Sequence, residues 1–595
     1  MKGTVSILEK RDNRSAVKAV VCVAFFGLCF WFWAFLSHGT LRFHENAQFF
    51  PYTWTHLREA LAYPGGLAVY ISEFLVQFFL YAIPAGLVMA GACLLLHRLV
   101  WSLSLAACRL DDGSLTAYVL CFIPAFCAWA YMCVFGDTFS GIVSLCMVLA
   151  CVSIMMKTHV PAVAAAAVAA FMYAAAGPMI VIGMSVYLTA ALLRLDRREI
   201  AGAATGLLIS IALPFIWQHF IQYTLRELMF GIEYCHQPEQ YTKAFIVLAA
   251  CAPLTMILAS AVLKTCSRLD SKVLKVVSTI AAVTFVFAGG WIYVIRNCNP
   301  QYERIFEYDK MACAQNWDGI LEKASSTPVT SLAEGTAVDL ALAMKGTLLK
   351  DMFRYSQAGP SMLIPDYAAG YVVSLTAGES AFRAGLLNTA RHYAFEEYES
   401  YPNFKISSRF MKRLAEIDLI NGNYEVAERF LIELSHTLFY RKWADTYLDD
   451  PSAITSDPEY ARLAACRDSS DYLYSDSSDE DKRTMLRRLA QRSGTWSVAH
   501  QYLLAYDLLA RDLWSLREDI RLCGFEDGVP VLVQQAVAMF GNAFEDVSDV
   551  EKSLVSQEVA ASFSDFQQAL TEGRAGSWIQ SNFGRSYWYY YSRKN

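Results

Sequence analysis

The sequence predicts an all-α protein in which a bundle of about nine transmembrane helices is followed by an array of helical hairpins outside the cytoplasm. The chain has 595 residues, of which 55% are apolar and only 18% are charged, whereas about a quarter of the residues in soluble domains are charged. The charge is also unevenly divided. Residues 1–297 hold 20 Lys/Arg and 14 Asp/Glu, while residues 298–595 hold 30 and 42. We therefore predict a transmembrane domain at 1–297 and a second domain at 298–595, and the acidic balance excludes a basic nucleic-acid-binding protein.

Nine stretches of the first half are apolar for long enough to cross a bilayer, since about 20 helical residues span its core of about 30 Å. They lie at residues 18–37, 66–96, 115–134, 140–156, 159–175, 178–194, 200–217, 244–263 and 276–295. The first stretch follows a basic segment that includes Lys10 and Lys18, as in a signal peptide. Its apolar run is too long for a usual signal peptide and no small-residue cleavage site closes it, so we interpret it as a retained anchor.

The positive charges of the short loops predict the orientation in the membrane. With the N-terminus in the cytoplasm, the inner segments carry 15 Lys/Arg and the outer loops carry four, namely Arg42, Arg58, Arg226 and Lys243. An odd number of spans then places the second half outside. We expect a multi-pass protein of the cytoplasmic (inner) membrane with an extracytoplasmic, or periplasmic, C-terminal domain, so that the lipid bilayer is its first partner.

Amphipathic helical hairpins begin after Asn297. The clearest is SRFMKRLAEIDLINGNYEVAERFLIELSHT at 408–437, where apolar residues recur every three or four positions on both sides of a turn at Asn421-Gly422-Asn423. An Ala at the inner crossing and Tyr424 after the Gly make this segment similar to half of a tetratricopeptide repeat. Weaker copies lie at 302–324, 333–349, 381–398 and 499–523. We predict an exposed acidic loop at 466–482, and a tail from Ser586 that either packs on the array or contacts the membrane.

Four segments resemble one family of bacterial polytopic membrane proteins of unknown function. They are AVDLALAMKGTLLKDMFRYSQAG (337–359), NTARHYAFEEYE (388–399), LINGNYEVAERFLIELSHTLFYRKWA (419–444) and AHQYLLAYDLL (499–509), and FYRKWA at 439–444 is the most specific piece. Members of this family join an N-terminal multi-span region to a C-terminal helical-repeat region. The resemblance implies this architecture and no known activity, so it supplies no catalytic residue.

Standard catalytic motifs are absent from the sequence. It has no phosphate-binding GxxxxGK[ST], GxGxxG, GxSxG, HExxH or CxxC motif, and we predict no cofactor and no metal. Most of the 16 cysteines lie in or beside predicted spans, where Cys behaves as a small apolar residue. Outside the spans, Cys298 and Cys313 form either a disulfide or two buried thiols.

The first outer loop, residues 37–66, carries the strongest candidates for chemistry. An acidic residue in an aromatic loop after the first span is similar to membrane glycosyltransferases that use lipid-phosphate-linked sugars. That resemblance implies Glu45 as the catalytic carboxylate, and Arg42 or Arg58 as the group that binds the phosphate. The alternative is an interfacial helix with no catalytic role. Glu73 and Gln77 open the second predicted span, where a carboxylate faces either a cavity or a structural hydrogen-bond partner.

Two further loops add candidate residues. The outer loop at 218–243 adds Arg226 as a binding candidate and contains Glu233, His236 and Glu239, without a compact metal-ligand spacing. Asp137 either caps a helix or lines a pocket. Transport is a third functional class, but it predicts polar or broken helices in mid-membrane, and the spans hold almost no charge there.

The repeat array and the missing catalytic motifs together favour a partner-binding or assembly protein of the membrane, which we expect to bind another protein through residues 298–595. The rival hypothesis is a transferase that acts on a lipid-linked substrate at the outer face, with Glu45 and Glu73 as catalytic residues and Arg42, Arg58 and Arg226 as binding residues. Nucleic acid is not expected as a partner of either.

Overall fold

The computed structural model describes residues 2–110, 112–158, 160–232, 234, 242–268, 271–400, 407–468, 473, 478–494, 496–525 and 528–593. These residues form helices joined by turns, and no β-strand occurs among them, which confirms the predicted all-α class. The chain divides into two compact units. Unit 1 contains residues 1–303 together with 402–408 and 436–438, and unit 2 contains residues 304–401, 409–435 and 439–595.

Unit 1 is built from long apolar helices. Its α-helices are α1 (Lys2–Trp31), α2 (His38–Asn46), α3 (Trp54–Ala60), α4 (Gly66–Val76), α5 (Ala82–Cys108), α6 (Leu115–Leu120), α7 (Ile123–Met132), α8 (Ser140–Thr158), α9 (Ala162–Ala176), α10 (Ile180–Arg194), α11 (Arg197–Trp217), α12 (Leu225–Phe230), α13 (Lys243–Arg268) and α14 (Lys272–Asn297). A π-helix (Phe32–Leu36) follows α1, and short 3-10 turns lie at Gln77–Leu80 and Gly177–Met179.

The long helices of unit 1 run between two ends of the bundle. At one end Arg194 donates hydrogen bonds to the carbonyls of Ala106 and Met156, near the ends of α5 and α8. At the other end the ring of Phe79 packs against Phe139, just before α8 begins, at a centroid distance of 5.6 Å. We call these the Arg194 end and the α2 end, because the imidazole of His38 in α2 hydrogen-bonds the carbonyl of Phe79.

Eight helices of the described residues are long and apolar enough to cross a membrane, against the nine predicted. The difference lies at 159–194, where the predicted pair forms one apolar stretch of 33 residues, Ala162–Arg194, interrupted at Gly177–Met179. Gly177, at the interruption, lies against Gly65. Arg194, at the end of the stretch, donates to the carbonyl of Met156, which is six residues before α9 begins. Because both ends of the stretch lie at the Arg194 end, α9 and α10 run in opposite directions, as the predicted pair would.

The second predicted span, 66–96, is wrong in its boundaries. The apolar run divides into α4, the 3-10 turn Gln77–Leu80 and a separate helix, α5, that starts at Ala82. Gly86, near the start of α5, lies against Phe30 at the end of α1 and Ala34 in the π-helix that follows, so the spanning helix starts at the α2 end after α4 is complete. Glu73 and Gln77 therefore belong to a short helix and its terminal turn, and not to a span.

The rest of the chain folds into shorter helices, several of which pack against the next helix in the sequence. They are α15 (Pro300–Cys313), α16 (Trp317–Ser326), α17 (Leu332–Met344), α18 (Leu348–Asp351), α19 (Tyr371–Ala384), α20 (Leu387–Ser400), α21 (Ser408–Asn421), α22 (Tyr424–Ser435), α23 (Arg441–Asp449), α24 (Pro458–Ala465), α25 (Asp479–Arg492), α26 (Val498–Ala510), α27 (Leu513–Asp519), α28 (Val531–Ala538), α29 (Phe540–Ala543), α30 (Asp549–Ser553), α31 (Gln557–Thr571), α32 (Gly576–Phe583) and α33 (Tyr587–Ser592).

The hairpin predicted at 408–437 is present as α21 and α22. The turn between them needs Gly422, whose φ of 81° is in the left-handed region that favours glycine. The apolar face is buried as expected, with Leu414, Ile417 and Ala427 at most 1% exposed. Tyr424 differs, because it is 40% exposed and so lies outside the buried face. The likeness to tetratricopeptide repeats stays a prediction.

The aromatic tail packs on unit 2. Tyr587 and Trp588 are buried, and Trp588 forms a small core with Phe566 and Ile579. The ring of Tyr590 stacks on Phe353 at a centroid distance of 4.7 Å. The predicted acidic loop at 466–482 is only partly a loop, since α25 already begins at Asp479, and its residues 469–472 and 474–477 lie outside the described residues.

Cys298 and Cys313 are both free thiols, so the disulfide that the sequence left open does not form. The Cys298 thiol hydrogen-bonds the carbonyl of Val294, 3.3 Å away, in the last turn of α14. The Cys313 thiol lies 3.8 Å from a carboxylate oxygen of Glu379. Each sulfur therefore has a local partner of its own.

A group of buried ion pairs joins the helices of unit 2. The Arg409 guanidinium donates two hydrogen bonds to the Asp309 carboxylate, at 2.6 and 2.7 Å. Glu379, whose side chain is fully buried, accepts from Arg383 in its own helix at 2.8 Å and also pairs with Arg413 of α21. These bonds connect α15, α19 and α21 through charged groups in place of apolar contacts.

Asp339 in α17 gives a prediction for the pH dependence of stability. Its side chain is fully buried, burial raises the pKa of the carboxyl to about 7, and Gln357 donates one hydrogen bond of 2.9 Å to it. Because the folded state holds this proton more tightly than the unfolded chain, the stability of unit 2 falls as pH rises from about 4 to 7. Burial also raises the pKa of Glu397 in α20 to about 7, so we expect Asp339→Asn to make this fall smaller without abolishing it, measured as the thermal midpoint across that range. Asp549→Asn, at a fully exposed site, should leave the pH dependence of the midpoint unchanged. The same pH dependence in Asp339→Asn as in the wild type would contradict the assignment.

Candidate functional site at the α2 end

The helix that carries the candidates Arg42 and Glu45 is held in place by a carboxylate far along the chain. The N-cap residue of α2, Ser37, makes no capping bond from its side chain. Instead, the carboxylate of Glu303 accepts hydrogen bonds from the backbone N–H groups of Gly39 and Thr40, at 2.7 and 2.8 Å, and from the Thr40 hydroxyl at 2.8 Å. Glu303 therefore lies at the positive end of the α2 dipole and satisfies two of its free N–H groups.

Removing this carboxylate should loosen α2. We expect Glu303→Ala to lower the protection of the amides of α2 against hydrogen exchange by about 0.5–2 kcal/mol, the usual cost of losing a helix N-cap. The measurement is hydrogen exchange of peptides that cover residues 38–46, read by mass spectrometry. Glu307→Ala is the matched control, because Glu307 is half exposed and pairs with Lys323. Equal exchange in the two variants would show that α2 does not depend on Glu303.

Glu45 is buried in α2 with only 4% of its surface exposed. One turn of helix away, Arg42 is half-buried on the same element. The neighbouring His44 is buried as well, and its Nε2 lies 3.2 Å from the carbonyl of Met132. Burial lowers the pKa of His44 to about 4, so this imidazole is neutral at neutral pH. The candidate carboxylate thus lies in a desolvated environment beside an uncharged histidine, and not in bulk solvent.

Glu73 pairs with His56, a contact that was not predicted from the sequence. The Nε2 of His56 lies 3.0 Å from a carboxylate oxygen of Glu73, and the two side chains are 21% and 7% exposed. A tight turn brings them together. Gly65 has a φ of 89°, and a Cβ on Gly66 would collide with the carbonyl oxygen of Ala60, so only glycines allow α4 to fold back on α3.

A network of polar and aromatic side chains surrounds this pair. Gln48 donates a hydrogen bond of 2.9 Å to the carbonyl of Glu73, and the Tyr52 hydroxyl bonds the side chain of Gln77. The ring of Phe50 packs against Tyr52, His56, Tyr70 and Phe74, at centroid distances of 5.0 to 5.8 Å. The carboxylate therefore lies inside this network, and the imidazole reaches its surface.

The remaining candidates lie on other elements. Arg58 is exposed on α3, and Arg226 is exposed on α12, whose first turn is closed by a capping box between Thr224 and Glu227. The phosphate-binding role of Arg42, Arg58 and Arg226 stays a prediction. Asp137 is fully buried and accepts hydrogen bonds from the Thr242 hydroxyl at 2.6 and 2.8 Å, beside the start of α13. Glu233, His236 and Glu239 lie outside the described residues.

A comparison with known families decides where the chain belongs. The sequence model of a family described as "Family of unknown function (DUF6057)" matches residues 14–594, nearly the whole chain. The chain belongs to this family. No curated protein and no solved structure matches it. Membership in DUF6057 confirms the predicted resemblance to an uncharacterised family, and it adds no activity.

Two contacts at this site were not predicted from the sequence, the His56–Glu73 pair and the capping of α2 by Glu303. The pairing of His56 with Glu73 had a signal, the Pro64-Gly65-Gly66 turn between them, which predicts that the flanking segments fold back on each other. Glu303 had none, because its partners Gly39 and Thr40 lie more than 260 positions earlier. Among the described residues, no three His, Cys, Asp or Glu side chains form a group able to hold a metal ion.

Proposed function

We propose that this protein is an integral protein of the cytoplasmic membrane that displays unit 2 outside the cytoplasm as a partner-binding array. The apolar helices of unit 1 support the membrane location. The basic side chains of Lys18, Arg109, Arg194 and Lys264 support the orientation, because each contacts a group of the Arg194 end, which is then the cytoplasmic one. A reporter enzyme fused after Asn595 should be active only outside the cytoplasm, and activity inside would contradict this orientation.

Trp514 is the observation that carries the partner-binding role. It is 70% exposed on α27, and its ring meets Phe544 edge-on at a centroid distance of 4.7 Å. Tryptophan is enriched among the residues that dominate binding at protein interfaces. Two acidic side chains beside it are exposed, Glu518 at 71% and Asp546 at 85%, and each pairs with an arginine, Arg487 and Arg517 respectively. An exposed aromatic ring among paired charges fits an apolar pocket of another protein.

Crosslinking from this position tests the proposal. A photoreactive phenylalanine analogue at position 514 of the full chain, illuminated in intact membranes, should give one dominant protein adduct. The matched control is position 578, because Trp578 is also exposed, at 39%, but lies under the guanidinium of Arg574. Identical adducts at both positions, or none at 514, would exclude Trp514 as the contact surface.

A second candidate function, transfer from a lipid-phosphate-linked sugar, is favoured by the buried carboxylates of Glu45 and Glu73 at the α2 end. In this reading the imidazole of His56 removes a proton from the acceptor, and Glu73 orients the ring, as carboxylates do for catalytic histidines. We expect Glu73→Gln and Glu45→Gln to lower the transfer of labelled sugar from a polyprenyl-phosphate donor by about 100-fold or more. Glu59→Gln, at an exposed site, should leave the transfer rate unchanged. A wild-type protein that transfers no sugar overturns this function.

A further inference from the structure

A long apolar groove runs along unit 1 between α5 and α8. Its volume is about 430 Å³, and the side chains that line it are all apolar. Leu87 and Leu95 of α5 form part of the rim and are about half exposed. Both helices that form the walls are candidate membrane spans. Within a bilayer this groove would open toward the hydrocarbon.

The groove exists because its floor is made of small residues. Gly91 and Ala92 lie on α5, and Ala150 lies on α8. A Cβ added to Gly91 would meet no atom within 4 Å, so the space above this glycine is open. Near the α2 end the groove is bounded by Ile71 and Leu75 of α4 together with Phe139. It is therefore a channel with one closed end, lying along the depth of the membrane.

The dimensions of the groove fit a single hydrocarbon chain. Its α5 wall extends from Leu87 to Leu99, which is about 18 Å of helix at about 1.5 Å per residue. With the radius of the atoms that occupy it included, the space of about 430 Å³ over this length corresponds to a channel about 8 Å wide, while an α-helix with its side chains measures about 10–12 Å. A helix from a second protein would thus be too wide, and an empty groove would forfeit the dispersion contacts of its lining.

We propose that the α5–α8 groove is a binding site for one acyl chain of a bilayer phospholipid. The proposal rests on the membrane location of unit 1 given above, and it adds a lipid site that neither candidate function requires. The closed end at α4 fixes how far the chain enters. The bound lipid places its headgroup toward the open end of the groove, away from Ile71 and Leu75.

The test fills the groove and counts the lipid. Gly91→Leu places a side chain in the open space, and Gly289→Leu is the matched control, because Gly289 is an exposed glycine of α14 that also has no atom within 4 Å of an added Cβ. Both changes replace a helical glycine by leucine, so their effects on helix propensity are equal. Each full-length protein is released from nanodiscs of palmitoyl-oleoyl phosphatidylcholine and analysed by native mass spectrometry.

We expect one retained phospholipid on the wild type and on Gly289→Leu, and at least a tenfold lower occupancy on Gly91→Leu. Equal occupancy in all three proteins overturns the site. A wild-type dimer that Gly91→Leu converts into monomers also overturns it, since the groove would then be an interface. Alkaline extraction of native membranes, run in parallel with the mass spectrometry, tests the membrane location itself. Release of the wild-type chain would reject the membrane location, and its retention with equal lipid counts would reject the groove alone.

Discussion

Arg194→Ala is expected to lower the free energy of unfolding of unit 1 by about 3–5 kcal/mol, the usual cost of breaking a buried ion pair from one side. The Arg194 side chain is 6% exposed and donates to the carboxylate of Glu199, itself 3% exposed, at 2.8 Å. Its other N–H groups donate to the carbonyls of Ala106 and Met156 at 2.7 to 3.3 Å. One guanidinium thus joins α5, α8, α10 and α11, and alanine leaves a buried carboxylate and two carbonyls without this donor.

The measurement is thermal unfolding of the full chain in detergent, followed by intrinsic fluorescence. Arg198→Ala is the matched control, because Arg198 is an exposed arginine four positions away. Arg194→Lys should restore only part of the loss, since an ammonium lacks the planar fork that reaches several acceptors at once. If Arg194→Ala and Arg198→Ala unfold at the same temperature, the buried network does not stabilise the bundle.

Glu379→Ala is expected to have a comparable effect in unit 2, lowering local stability by about 3–5 kcal/mol. The side chain of Glu379 is completely buried between Arg383 and Arg413. Alanine would leave two guanidiniums close together, without the carboxylate that separates them. Hydrogen exchange of peptides from α19 and α21 measures the loss, because it reports local opening without requiring the two units to unfold together. Glu428→Ala, at an exposed site of α22, should leave exchange unchanged.

The same carboxylate makes this region sensitive to acid. Burial alone would raise the pKa of Glu379, but the charges of Arg413 and Arg383 outweigh burial and lower the pKa to about 2. A carboxyl whose pKa is lower in the folded state stabilises that state above its unfolded pKa. We therefore expect the contribution of Glu379 to the protection of α19 to be constant above about pH 4.5 and to be lost between pH 4.5 and 2. Glu379→Gln should flatten this response, and a fall of the same size in Glu379→Gln would assign it to another group.

The sequence predicted those parts of the fold that local patterns determine. The hairpin at 408–437 follows from apolar spacing and from Gly422, which is the residue that the left-handed turn requires. The boundary of the second span was wrong because hydropathy averages along the chain. Residues 66–80 are as apolar as a span, and the break before Ala82 contains neither glycine nor proline to mark it. The chain leaves the helical conformation there at Tyr81, in extended backbone.

The candidate site also combines features that local sequence predicts with features that only tertiary structure determines. The sequence singled out Glu45 and Glu73 as carboxylates beside apolar helices, and both are buried; their catalytic role stays a prediction. Their partners depend on tertiary contacts, which no spacing rule contains. His56 reaches Glu73 only because two glycines allow a reversal of the chain, and Arg58, two positions later, is left exposed on the same short helix.

The position of Glu303 has a consequence for biosynthesis. The residue that caps α2 is encoded 264 positions after Gly39, so α2 is synthesised long before its capping carboxylate exists. At about 5–20 residues per second, the ribosome needs roughly 10–50 s to reach it, during which every helix of unit 1 from α3 to α14 is made. The first loop therefore reaches its final form only after the last of these helices has been translated, which delays completion of the candidate site until the membrane part is whole.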